Sequence, residues 1–350
     1  MNDPALNLLA PHLSNITEPT LWYADENTLP LCKSTPSNPL LSVITNRFDI
    51  FQQLQKRNIK VIFSDFVSEQ YQLSQAPKKI FYRVSKEKSL VHFLINQAKN
   101  IVADEGSLII SGLKNEGIKT YGDKTTKILN ARGKLKKHGA AYSGEYQLSK
   151  NEKKALEDQN YSEIQKIKAP ALEHGFFYSK PGVFGWDKID QGSELLLQSF
   201  SEAMKNQENK KEKTILDLGC GYGWLSLTID KYGFKHITST DNNAAALLCA
   251  TKNATQMQTP TEIVASNCAD TINHTFDIVL CNPPFHRGFQ HHQDLTELFL
   301  KQTRNHLKPS GTAFFVVNSF IDIENTAKPF FKSVQTIKKD KSFKVLQLSN

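Results

Sequence analysis

Thr214-Ile215-Leu216-Asp217-Leu218 runs directly into Gly219-Cys220-Gly221-Tyr222-Gly223, and this junction limits what the chain can fold into more than any other segment. A short, mostly apolar run reads as a buried strand. Three glycines spaced by single residues then let the backbone turn tightly and pass close to a ligand. A helix is expected from about Trp224 to Tyr232, and the next strand, His236 to Thr240, ends at Asp241. Strand, glycine turn, helix and second strand make a βαβ unit, which places this region in an α/β sheet.

The alternation continues toward the C-terminus. Ala244 to Ala254 reads as a helix, Phe276 to Cys281 as a buried strand, Leu295 to Leu307 as a helix and Gly311 to Val317 as a strand. Val334 to Lys338 and Phe343 to Leu348 resemble a terminal hairpin, which suits a parallel sheet with an antiparallel edge. In the first half, Thr20 to Ala24, Ile59 to Phe63, Lys79 to Val84 and Ser107 to Ser111 read as strands, and Leu40 to Asn58 and Leu90 to Val102 as helices. No glycine-rich turn follows any of these strands. After Leu21-Trp22-Tyr23 comes Ala24-Asp25-Glu26-Asn27, whose side chains keep a nucleotide from the backbone. The first half therefore reads as a nucleotide-binding fold without a working nucleotide site. The polar stretch from Ser149 to Pro170 is the best boundary, giving domains at 1–165 and 166–350.

With 350 residues, 39% of them hydrophobic, the chain can build two cores, and wholesale disorder is excluded. Lys and Arg number 43 against 35 Asp and Glu, a net +8 that favours a polyanionic partner. The excess concentrates between Lys114 and Lys137, where Lys134, Lys136 and Lys137 are the candidate phosphate contacts, and again between Lys328 and Lys344. Five cysteines without CxxC pairs point to reduced thiols and a cytoplasmic protein. Met1-Asn2-Asp3-Pro4 offers neither a basic start nor a long apolar stretch, so neither a signal peptide nor a membrane helix is expected. His286, His291 and His292 lack a companion cysteine or carboxylate cluster, so no metal is expected.

Two motifs carry chemistry. Asp217 ahead of the glycines can order their loop, and a carboxylate there welcomes a cation such as the amino-acid end of S-adenosylmethionine. The glycine amides are expected to face the ligand, and Asp241 to bind ribose hydroxyls. A dinucleotide site has the same logic, but with GxGxxG spacing instead of GxGxG. Asn282-Pro283-Pro284-Phe285 follows a buried strand and so lies at the carboxyl edge of the sheet, where open α/β folds bind ligands. Its prolines fix the backbone and leave the Asn282 and Pro283 carbonyls as two acceptors for the N–H groups of an exocyclic amine. Phe285 offers a face for stacking a base. The Asn282 side chain is a further acceptor, so Asn282→Asp is expected to retain more activity than Asn282→Ala. Cys281 has no Pro-Cys context and reads as a small buried residue, not as the nucleophile of cytosine-C5 chemistry.

DxGxGxG, an acid at the next strand end and NPPF together resemble the S-adenosylmethionine-dependent amino methyltransferases. Two further stretches narrow this: Asn282-Pro283-Pro284-Phe285-His286-x-Gly288, and Pro181-Gly182-Val183-Phe184 followed by Asp190-x-Gly192-Ser193-x-Leu195-Leu196-Leu197. Across about Phe177 to Val345 the chain resembles the RsmC-type ribosomal RNA small-subunit guanine-N2 methyltransferases. The resemblance is looser in the first half, where that family carries a degenerate copy of the fold. It implies two tandem Rossmann-like domains, the second a seven-stranded sheet with an antiparallel edge hairpin. It implies a cofactor site lined by Asp217, Gly219, Cys220, Gly221, Asp241 and Asn242, with Asn267 near the adenine and Phe184 and Gly192 closing it. It places catalysis at Asn282, Pro283, Pro284 and Phe285. The implied reaction methylates a guanine N2 of 16S rRNA within the 30S subunit, by a monomer whose first domain grips RNA. The rival readings are another NPP(F/Y) enzyme acting on adenine N6 or protein glutamine, an idle RNA-binding assembly factor, and a nicotinamide dehydrogenase.

Overall fold

Both faces of the central strands in the second half are buried, which is why those strands read as apolar runs instead of alternations. The computed structural model describes all residues except 1–2, 68–71, 150–152, 171, 173–174 and 285–288, and of 289–294 only the backbone. It divides into two compact units, Met1–Glu163 and Ile164–Asn350.

The first unit holds β1 (Thr20–Ala24), β2 (Leu41–Thr45), β3 (Lys60–Phe63), β4 (Lys79–Arg83), β5 (Ser107–Leu113), β6 (Arg132–His138) and β7 (Ala141–Gln147). Their order across the sheet is β3-β2-β1-β4-β5-β7-β6, parallel up to β5 and antiparallel at the β7–β6 edge. The second unit begins with a small hairpin, β8 (Gln165–Lys168) and β9 (Phe176–Ser179). Its main sheet contains β10 (Thr214–Leu218), β11 (His236–Asp241), β12 (Thr261–Ala265), β13 (Phe276–Cys281), β14 (Leu307–Asn318), β15 (Ser333–Lys339) and β16 (Phe343–Ser349). Here the order is β12-β11-β10-β13-β14-β16-β15, again parallel with an antiparallel edge. Strand for strand, the two sheets follow one plan.

Alternate residues of the second sheet go to opposite faces. Ile215, Ile278, Leu280 and Phe314 pack with Leu196, Leu197 and Phe200 of the helix Gln191–Ala203 and with Cys249 of the helix Ala244–Met257. Leu216, Val279, Cys281 and Phe315 face the other way, against Phe299 and Leu300 of the helix Phe289–His306. Each fully buried side chain of this kind contributes about 1.5–3 kcal/mol.

The structure corrects the reading of Leu40 to Asn58 as one helix. Leu41–Thr45 is β2, buried between β1 and β3, and only Phe48–Gln55 is helical. A short apolar run fits both periods, and Val43, Ile44 and Thr45 are branched residues that favour strands. Strands β6, β7, β8, β9 and β12 are absent from the sequence reading. They lie at or near sheet edges or in small hairpins; β6, β8 and β12 have weak apolar patterns, and β6 has no buried residue.

One side chain fixes the entry to the candidate site. Asn253, 2% exposed, donates to the carbonyls of Tyr178 (2.8 Å) and Tyr222 (2.9 Å) and accepts from the Tyr178 amide (2.7 Å). It thereby ties β9 and the glycine loop to the helix Ala244–Met257. Asn253→Ala leaves one buried backbone group, the Tyr222 carbonyl, and two part-buried ones on Tyr178 short of a partner. At about 1–3 kcal/mol for the buried group and less for the part-buried ones, unfolding stability should fall by roughly 2–4 kcal/mol. Urea denaturation checks this; a loss under about 1 kcal/mol would mean that water replaces these bonds.

Candidate active site

The loop after β10 engages four of its five N–H groups internally. The Gly219 and Cys220 amides both donate to the Thr240 carbonyl (2.9 Å each), and the Gly223 amide donates to the Cys220 carbonyl (2.9 Å). The Gly221 amide donates to Asp241 Oδ2 (2.9 Å), while Asp241 Oδ1 accepts from the Asn243 amide (2.8 Å). The expectation that glycine amides face a ligand is therefore wrong for Gly219, Cys220 and Gly221. Their donors are used in shaping the turn. Gly219, Gly221 and Gly223 have φ of +81°, +58° and +87°, a region that strains any residue with a side chain. A Cβ built on Gly221 would meet no atom of the described residues within 4 Å, so no described side chain covers the loop there. Tyr222 and Trp224 turn under the loop, edge-on to Phe177 at 6.0 and 5.2 Å between ring centres.

Asp217 lies below the loop, 1% exposed. Its Oδ2 accepts from the Ser226 amide at 3.0 Å, and its Oδ1 is buried with no hydrogen-bond partner among the described residues. Burial pushes its pKa up to about 7, against the opposing hydrogen bonds from Ser226. An orphaned buried carboxylate oxygen beside an open, donor-poor turn fits a ligand that brings a positive charge. Asp241 ends β11, next to Asn242, whose Nδ2 donates to Asn267 Oδ1 at 3.3 Å. Asn243 caps the helix Ala244–Met257 and donates to the Gly182 carbonyl (2.9 Å), which holds the stretch leading to Phe184 near the end of β11. Phe184 itself is 51% exposed.

Asn282 leaves the end of β13, which is paired with β10. Its Nδ2 donates to Asp190 Oδ2 and to Ser193 Oγ, both at 2.8 Å. Gly192 sits in the first turn of the helix that Asp190 caps. Sequence reasoning gave Asp190 and Ser193 no role. The available signal was the helix-start pattern of an acid three residues before a serine, just ahead of the Leu195-Leu196-Leu197 run. Pro283 is buried, Pro284 is exposed, and Phe285 lies outside the described residues. The Cys281 thiol is fully buried, and burial pushes its pKa well above the usual thiol range, so it is no nucleophile. Among the described residues no group of three His, Cys, Asp or Glu side chains could hold a metal, and no helix is long and apolar enough to cross a membrane. Lys134, Lys136 and Lys137 are exposed on β6, in the other unit.

In the first unit the matching edge is filled. Asp25, directly after β1, accepts from the Asn27 amide (3.0 Å) and from the Tyr82 hydroxyl (3.4 Å). Tyr23 packs edge-on to Phe66 and Tyr82, and Tyr161 donates to Asp65 at 3.0 Å. Side chains stand where a ligand would need room.

The Asp217 carboxyl makes the second unit sensitive to pH. The folded state keeps its proton up to about pH 7, whereas an unperturbed Asp releases it near pH 3.9. Stability from this group is full below about pH 4 and is lost on the way to about pH 7, at up to about 1.4 kcal/mol per pH unit. Asp217→Asn should remove that decline, so variant and wild type should diverge steadily between about pH 4 and 7 and run parallel above. Urea unfolding across this range checks it; parallel curves throughout would place Asp217 in a wetter setting.

Residues 174–347 match the methyltransferase small domain family. The chain is 31% identical to ribosomal RNA small subunit methyltransferase C of Haemophilus influenzae strain Rd over 274 residues, covering 77% of this chain and 79% of that one. The same enzyme of Actinobacillus succinogenes is 27% identical over 344 residues, 97% of this chain and 96% of that one. Among solved structures, the Thermus thermophilus 16S rRNA N2 methyltransferase RsmC, in complex with AdoMet and guanosine, superposes with a TM-score of 0.82. The match spans 100% of this chain and 92% of that one at 22% identity, and it shows a shared two-domain fold.

Proposed function

The chain belongs to the family of ribosomal RNA small subunit methyltransferase C, and from that premise we propose that it transfers a methyl group from S-adenosylmethionine to the exocyclic N2 amine of a guanine in 16S rRNA. The observation that carries this reading is the donor-poor glycine loop over the orphaned Asp217 oxygen. A dinucleotide's pyrophosphate needs N–H donors, and the amides of Gly219, Cys220, Gly221 and Gly223 are already engaged. A cationic ligand needs a carboxylate, which Asp217 provides.

S-adenosylmethionine, when bound, supplies an electrophilic methyl on a positively charged sulfur. Asp217 would hold the ammonium of its amino-acid end, Gly219, Cys220 and Gly221 would give it a close backbone path, and Asp241 would accept ribose hydroxyls. Asn242 and Asn267, already paired with each other, would border the adenine, with Phe184 covering it. At the reacting end the Asn282 oxygen and the Asn282 and Pro283 carbonyls would accept N–H groups of the amine and stabilise the charge that develops on its nitrogen. The amine is the nucleophile, so the protein needs none. In an A-form helix the guanine N2 is base-paired, so the target has to be unpaired or flipped out. The first unit, whose matching edge is filled, would serve RNA binding through Lys134, Lys136 and Lys137. We place the protein in the cytoplasm, acting as a monomer on 16S rRNA within the 30S subunit.

The test is transfer of a tritiated methyl to 30S subunits followed by nucleoside analysis. N2-methylguanosine is expected; N6-methyladenosine, methylated protein or no transfer would each overturn the assignment. Asn282→Ala should lower single-turnover transfer by roughly 100- to 1000-fold with cofactor affinity nearly unchanged. Near-normal transfer would make NPPF a plain turn here. Changing Lys134, Lys136 and Lys137 together to Ala should weaken RNA binding. Each lost phosphate contact should reduce the log–log salt slope by about 0.7–0.9. An unchanged slope would leave these lysines as solubilising surface.

A further inference from the structure

We propose that Asp190 and Ser193 are positioning residues that lock the Asn282 amide with its oxygen toward the substrate, so that the site offers only acceptors to an incoming amine. The inference rests on the proposed role of Asn282 in meeting the amine, and adds what decides its orientation.

An asparagine amide can usually turn over, exchanging its oxygen and nitrogen. Here it cannot do so without loss. Asn282 lies 2.8 Å from Asp190 Oδ2, and a carboxylate only accepts hydrogen bonds, so nitrogen has to face it. The second N–H goes to Ser193 Oγ, also at 2.8 Å. With both N–H groups engaged on the helix side, Oδ1 is left for the substrate side. Turned over, the amide would set oxygen against oxygen at Asp190 and present N–H groups to an amine that also needs to donate.

The clamp is anchored. Asp190 Oδ2 also accepts from the Ser193 amide at 2.8 Å and so caps the helix Gln191–Ala203. Leu196, Leu197 and Phe200 bury that helix against the sheet. Gly192 leaves the carboxylate its place: a Cβ there would lie 3.1 Å from Asp190 Oδ2 and 3.1 Å from the Phe343 ring. One carboxylate oxygen thus joins the start of a core helix to the reactive turn 92 residues further along.

This geometry reverses the expectation for Asn282→Asp. A carboxylate at that position would face Asp190 at hydrogen-bond distance, and two like charges so close cannot both be comfortably ionised. Asn282→Asp should therefore transfer methyl no better than Asn282→Ala at about pH 7.5, roughly 100-fold below wild type or worse, and should recover as the pH falls and the pair shares a proton. The exchange Asp190→Asn with Asn282→Asp removes the like-charge pair: the amide oxygen at 190 can keep the Ser193 N–H, its NH2 on the other arm has to turn toward position 282, and the carboxylate there still offers the substrate an acceptor. It should regain at least about tenfold over Asn282→Asp alone. Ser193→Ala should lower the single-turnover rate severalfold while the affinities for S-adenosylmethionine and RNA hold.

A helix cap with no part in orientation predicts otherwise: the exchange variant would lose the product of the two single losses and Asn282→Asp alone would show no recovery as the pH falls, and that result would overturn the proposal. Wild type, the two single variants and the exchange variant are also compared by urea unfolding, where coupling between positions 190 and 282 emerges as non-additive stability without any need for turnover. If wild type methylates no RNA, the assigned function fails, while additive stabilities would overturn the clamp by themselves.

Discussion

A single main-chain oxygen, that of Thr240, organises the second unit's candidate site. It accepts the amides of Gly219 and Cys220 together, and Asp241, the next residue, takes the amide of Gly221. Consecutive N–H groups can converge in this way only when the chain passes through positive φ, which explains the glycines at 219 and 221. The consequences reach outward from there. Four loop amides are engaged internally, Tyr222 and Trp224 are directed beneath the loop onto Phe177, and the Asp217 oxygen below is left without a partner among the described residues. A loop that looks like a phosphate cradle in sequence becomes a site suited to a cation.

The two units show how the same topology can keep or lose a ligand. Both sheets run in one strand order, so the edge at the end of the first strand is the natural crevice in each. In the second unit that edge carries glycines, with no described side chain over Gly221. In the first it carries Asp25, packed under a short turn and bonded to Tyr82, with Tyr23 and Phe66 beside it. Burial raises the Asp25 pKa to about 6, the consequence of enclosing a carboxyl without a full counter-charge. Topology supplies the location, and side-chain volume decides whether it stays open.

At the other end of the crevice, polarity is set at a distance. Asn282 stands on a turn held by Pro283 and Pro284, but its orientation comes from a helix that precedes β10 in the chain. The site therefore joins three pieces of the sequence: the helix start at Asp190, the glycine loop, and the turn after β13. Parallel pairing of β10 with β13 brings the last two together, since equal strand directions put both carboxyl ends on one edge.

By itself the sequence determined the βαβ plan of the second half, its terminal hairpin, and the residues of the two motifs, because buried strands, glycine turns and prolines leave strong local signals. It also carried the family resemblance that the relatives bear out. It did not determine the strand at Leu41–Thr45, whose five residues satisfy either period, or the edge strands such as β6, where no side chain is buried to leave a pattern. Nor did it settle where the loop's amides point or which way the Asn282 amide faces. Those were decided by tertiary structure alone, because each depends on a partner brought from elsewhere in the chain: Thr240 and Asp241 on the neighbouring strand, Asp190 and Ser193 at the start of a distant helix. Hydrogen-bond direction is a property of the pair, and only folding makes the pair.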